Sequence, residues 1–201
     1  MSRTVYCPAV ATLASVVTSI TDCPTEFGQI QKIGFWRRGQ AFASVASATS
    51  ATVWTARLAS TGDAKLLVSP MLTANIPASE AREAGSGNEV LNGIPIAIGS
   101  NPVKVEGKIW ENAQTVITAL KAIGGEYLDV IFINEAGQIL YNLVGATAAG
   151  FPITSLWISD LSTGTFTDGT SNNFSFYLRP NWSNAAAITV AMASALDSVN
   201  S

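Results

Sequence analysis

In several short segments of this chain, apolar residues recur at every second position. Ile94-Pro-Ile-Ala-Ile98 and Val103-Lys-Val-Glu-Gly-Lys-Ile109 alternate strictly, the rhythm of a strand with one face buried. Phe27–Phe35, Lys65–Ser69, Thr154–Leu161, Phe174–Leu178 and Ile188–Met192 read as further short strands. One segment follows a different period: Val116, Ile117, Leu120 and Ile123 fall at i, i+1, i+4 and i+7, which predicts an amphipathic helix over about 112–123. Asn112 suits its N-cap, and Gly124-Gly125 its left-handed stop. A helix of ~12 residues is marginal alone in water, so it must lie on a sheet. The nearest candidate is the hairpin predicted from Leu128–Ile133 and Ile139–Val144, joined by the turn Asn134–Gln138.

Between these elements the pattern is weaker. Phe42–Thr61 is rich in Ala, Ser and Thr and leans to helix or irregular chain as far as Ala59. Residues 73–93 read as one long polar loop, and a loop beyond ~12–15 residues in a compact domain is usually functional. Gly145–Gly150 is a small-residue link, and Asp160–Asn173 is rich in turn formers. The expected architecture is α+β: seven to nine short strands forming a mainly antiparallel β-sandwich or barrel, flanked by one principal helix. Residues 1–26 form an N-terminal arm in this division, 27–192 a single β-rich domain and 193–201 a C-terminal tail.

Composition changes the picture in one respect. The chain is 48% hydrophobic yet only 12% charged, about half the usual share. No apolar run approaches the ~18–20 residues that a membrane helix needs, and a membrane is not an expected partner. A surface so poor in charge is either dominated by Ser, Thr, Asn and Gln or covered by other copies. We favour the second, because charge depletion marks the cores of interfaces. Val10–Ile20 is too interrupted by Thr and Ser for a secretion signal, and Cys7 and Cys23 read as free thiols rather than a scaffold. The formal net charge of −3 argues against binding nucleic acid by neutralising phosphates.

A search for chemistry returns little. The absence of histidine removes Ser-His-Asp and Cys-His catalysis and imidazole metal sites. No phosphate loop, dinucleotide fingerprint or nucleophile elbow occurs. Asp160 and Asp168 lack the spacing of a calcium loop; Glu106, flanked by Lys104 and Lys108, reads as an ion-paired strand face rather than half of a glycosidase pair with Glu111. The expectation is a non-enzymatic protein with no cofactor and no metal. Two features remain as candidates: Glu80, Arg82, Glu83 and Glu89 in the 73–93 loop, as an arm toward a neighbouring copy, and Arg37 and Arg38 beside Trp36, as a basic interface cluster.

Several segments together resemble a pattern in structural proteins of tailed bacteriophages, especially those infecting Bacteroidetes-type hosts. They are Asp22-Cys-Pro with Phe27–Ile33, Gly62–Lys65 with Val68-Ser-Pro70, Gly87-Asn-Glu with Asn92–Ile96, Asn112–Leu120 and Val130–Ile139. The similarity covers roughly residues 20–145 and is one of order and style, with no strict signature and no catalytic residue to transfer. It implies a virion protein present in many copies, assembled in the host cytoplasm as a tail tube or related tail component. Its partners would be copies of itself in a ring or tube, other virion proteins, and genome DNA in non-specific proximity. A capsid decoration protein is the alternative, and a secreted carbohydrate-binding adhesion domain a more distant one.

Overall fold

The computed structural model describes residues 27–85, 95–110, 114–163 and 169–190. The expected terminal arm and tail, Cys7, Cys23, Glu89, Glu111, Asn112 and Asp168 lie outside the described residues.

The organising structure is a closed barrel of six antiparallel strands. β1 (Ile30–Arg37) pairs with β8 (Leu128–Asn134), and β8 with β11 (Phe151–Ile158). β11 pairs with β12 (Asn172–Leu178), and β12 with β7 (Val103–Ile109). β7 then pairs with β4 (Leu72–Asn75), which returns to β1 at Ile30↔Ala74 and closes the ring. Alternate residues point inward, and aromatic rings fill the lumen. Phe176 lies 6.1–6.4 Å, centroid to centroid, from Phe174, Phe132 and Phe35, and Phe132 lies 6.0 Å from Phe151. Trp182 meets Phe151 edge-on at 5.2 Å. These separations are the offset and edge-to-face geometries that aromatic quadrupoles favour.

A second core lies outside the barrel wall, over β1 and β8. Here Ile131, Ile133 and Trp36 pack with Phe42, Trp54, Ile139 and Tyr141. It is covered by α1 (Val45–Ala48), α2 (Ala51–Ala59) and an extension of the barrel sheet that leaves β8 through β9 (Gln138–Val144) and continues as β10 (Thr147–Ala149) and β2 (Ala41–Phe42), with β13 (Ala186–Val190) also on β9. Trp54 Nε1–H donates to the Ala48 carbonyl at 2.8 Å and ties the two helices together. Because β8 has a core on each face, every one of its residues is buried, which is why Leu128–Ile133 reads as an unbroken apolar run.

The β8–β9 hairpin forms as the sequence predicts. Asn134 Oδ1 accepts from the backbone N–H groups of Ala136 and Gln138, and Gly137 supplies the left-handed φ of 74°. The helix is also present, as α3 (Gln114–Ala122), with Ile117 and Leu120 in the barrel core. Its nearest strand is β11, and Ile117 and Leu120 share the barrel core with Leu128, Val130 and Phe132 of β8. Gly124 and Gly125 do not take the left-handed conformation. Gly124 is needed for space: a Cβ there would lie 2.9 Å from the Leu156 carbonyl oxygen, where the chain leaving the helix crosses β11.

Three further expectations are corrected. The described residues hold thirteen strands, not seven to nine, because two-residue pairings such as β2 and β3 (Leu67–Val68) are too short to show a period. Gly145–Gly150 is not a plain link, since Thr147–Ala149 is β10. The supposed loop at 73–93 contains the end of β4 and all of β5 (Ala81–Ala84), which pairs with β6 (Ile96–Ser100).

Candidate assembly surface

The β5–β6 pair is a continuation of the barrel itself. Strands β4 and β7 pair at Leu72↔Ile109 through Asn75↔Glu106, and β5 and β6 at Ala81↔Ser100 and Arg82↔Gly99. Each step forward on one strand matches one step back on the other as far as Arg82↔Gly99, beyond which the register shifts by one residue to Glu83↔Ala97. The ladder lapses between them, where Pro77 and Pro102 have no N–H to give. The Asn101 N–H to Glu80 carbonyl bond at 2.9 Å keeps the two halves in line. At ~3.3 Å per residue, Asn75 to Ala84 extends the barrel seam by about 30 Å.

Among the described residues, this arm has no core. All four residues of β5 are exposed, and so are the isoleucines of β6, Ile96 at 59% and Ile98 at 57%. A two-stranded ribbon is marginally stable in water, and large apolar side chains on one are a liability unless something covers them. Glu80 precedes β5, while Arg82 and Glu83 are within it; none has an ion-pair partner among the described residues. Sequence reasoning found these residues but not their strand. β5 has no apolar alternation to read, whereas the alternation of Ile94–Ile98 did predict β6, although as a half-buried strand, and its isoleucines are exposed.

The outward face of β11, β12 and β7 is the second exposed surface. Cross-strand pairing sets Trp157 beside Ser175 and Ser175 beside Glu106. Neighbouring rows carry Thr154, Tyr177 and Lys104 on one side, and Asn173 with Lys108 on the other. Trp157 is 57% exposed and Tyr177 39%. Lys104 Nζ pairs with Glu106 Oε1 at 2.5 Å, which raises the lysine pKa. Lys108 Nζ sits 5.4 Å from the centre of the Trp110 ring, whose Nε1–H donates to Thr73 Oγ1 at 3.1 Å. Between Trp157 and the lysines runs a shallow groove of about 430 Å³.

Arg37 and Arg38 do come together, but each is engaged within the chain. The Arg37 guanidinium forks onto Glu126 at 2.7 and 2.9 Å and also reaches Asp63, and it holds the Glu126 carboxyl below the usual carboxylate range. Arg38 lies over the Tyr127 ring, 5.0 Å from its centroid, and donates to the Ile153 carbonyl at 3.0 Å. Its Nε is 3.5 Å from Oδ1 of Asp129, a buried carboxylate directly opposite Trp36 on the β1–β8 ladder. Oδ2 of Asp129 accepts from the Gly39 N–H at 3.0 Å, and burial pushes this carboxyl above its ordinary pKa despite the nearby arginines. The cluster therefore fastens β1 and the turn after it to β8.

Among the described residues, no three His, Cys, Asp or Glu gather as a metal site would require, and no helix is long and apolar enough to cross a membrane.

No protein-family model matches the chain, and no curated protein does. Among solved structures, a chain from the tail of an empty gene transfer agent particle with C6 symmetry is similar over 59% of this chain and 80% of its own. The identity is 19% and the TM-score 0.31; at that score the likeness fixes neither fold nor role.

Proposed function

We propose that this chain is a non-enzymatic structural subunit that assembles in many copies, with a phage tail tube or closely related tail component as its setting. The observation that carries the assembly reading is the β5–β6 arm, an extension of a barrel seam that exposes Ile96 and Ile98 and has no apolar core against it among the described residues. A neighbouring copy supplies the missing surface, and the scarcity of charge, 12% of residues, suits a molecule largely covered by its sisters. The tail setting rests on the resemblance of residues 20–145 to tailed-phage structural proteins. On this reading the arm orders fully on assembly, and its backbone amides become more protected from hydrogen exchange there.

The test is light scattering and negative-stain microscopy of the purified protein beside a variant in which residues 81–100 are replaced by a short Gly-Ser turn. Rings or tubes from the intact chain and single copies from the variant are expected. A decoration protein would give small oligomers, and a sugar-binding module a monomer that retains glycans. A freely soluble monomer at high concentration would end the assembly reading.

A further inference from the structure

The arm of one copy has a specific seat on the next. On a strand, alternate residues point the same way at a spacing of ~6.6–7 Å. Glu80, Arg82 and Ala84 therefore share one face of the arm, and the pairing Ala84↔Ile96 puts Ile96 on that face too. The face reads acid, base, apolar. The outward face of β7 reads Lys104, Glu106, Lys108 at the same spacing: base, acid, base. Exposed rings flank it, with Tyr177 beside Lys104 and Trp110 beside Lys108.

We propose that the arm of one copy lies along the outward face of β7 in a second copy, with Arg82 against Glu106, Glu80 against a flanking lysine, and Ile96 on the ring beyond. This rests on the reading of the chain as a self-assembling subunit and names the surface that receives the arm. Charge complementarity supports it twice. Charges of opposite sign fall opposite each other at matched spacing, and residues 80–84 carry one net negative charge where 104–108 carry one net positive. The arm cannot reach its own β7 in this way, because only Asn101 and Pro102 separate the end of β6 from the start of β7. Arm and seat are different patches of the same chain, so the contact is head-to-tail. Such a contact repeats, and it closes a ring or winds into a tube according to the rotation between copies.

Charge reversal tests the seat. Arg82→Glu and Glu106→Arg are made singly and together, with the 81–100 replacement alongside, and the concentration at half-assembly is read by sedimentation. All these side chains are exposed, so the urea midpoint of the dissociated protein serves as the check that each variant folds. Each single reversal is expected to raise the half-assembly concentration about tenfold or more, and the double reversal to restore it, since the pair is then attractive again. The Arg82–Glu106 match is the same whichever way the arm runs, so the result does not depend on its direction. Single variants that assemble like the parent, or a double variant that stays impaired, would overturn the seat. Loss of assembly in the arm replacement beside such a result would leave the arm as the contact and move its partner elsewhere. If the arm replacement also assembles normally, the self-assembly reading of the arm falls with it.

Discussion

Gly107 tests whether the barrel closes as described. It stands mid-way along β7, opposite Phe174 on β12 and Ala74 on β4, with its missing side chain aimed into the lumen. A Cβ there would lie 2.2 Å from the Thr73 carbonyl oxygen and 2.7 Å from two carbons of the Phe174 ring. A carbon–oxygen contact normally needs ~3.3 Å, so the backbone of β4 must retreat by about 1 Å. That neighbour is ladder backbone, which cannot swing aside as a side chain would. Overpacking of this kind costs about 1–3 kcal/mol, and the lower entropy of the unfolded chain with alanine returns about 0.4–1 kcal/mol. For Gly107→Ala the net expectation is a loss of about 1.3 kcal/mol. With a urea slope of ~2 kcal/mol/M, the midpoint falls by about 0.6 M. Gly125→Ala is the control: a Cβ there meets nothing within 4 Å, the backbone is not left-handed, and the stability should stay within about 0.5 kcal/mol of the parent. The seam strained by Gly107→Ala is the one from which the arm grows, so this variant is also expected to assemble poorly. A Gly107→Ala protein as stable as the parent would refute the β4–β7 packing on which both arm and seat depend.

Two further outcomes follow from the same structure. Replacing Ile96 and Ile98 with serine should leave the dissociated protein's urea midpoint unchanged. More than half of each side chain is exposed, and full burial is worth about 1.5–3 kcal/mol, so each loss should weaken association about tenfold by sedimentation. Asp129 has a folded-state pKa raised by burial, so between its unfolded and folded values the native state binds more protons than the unfolded state. Its contribution to stability therefore declines as pH rises through that window. Asp129→Asn keeps an oxygen for the Gly39 N–H and should remove this decline. Urea melts from pH 4 to 7 in which parent and variant differ by a constant amount would contradict it.

Much of the wall was legible before the fold was known. The β7 alternation, the apolar run of β8, the Asn134 turn and the face of α3 each follow from periods of two or 3.6 residues, which one strand or helix reveals by itself. Their partners were not. The helix lies nearest β11 and shares the barrel core with β8, a placement that its own 3.6-residue period does not encode. Arg37 and Arg38 were visible as a basic pair, but Glu126 and Asp129, which engage them, are 89 and 91 residues away from the arginine each serves.

The sequence by itself settled which segments extend and which one coils, because these depend on neighbours along the chain, and its composition showed that charge is scarce. Closure of six strands into a barrel, the second core behind β8, and the run of one register from β4–β7 into β5–β6 were decided by tertiary structure alone. Pairing between strands is set by contacts that no local pattern encodes. The Ile94–Ile98 alternation announced β6 but pointed to a buried face that it does not have, and β5 carries no apolar rhythm at all.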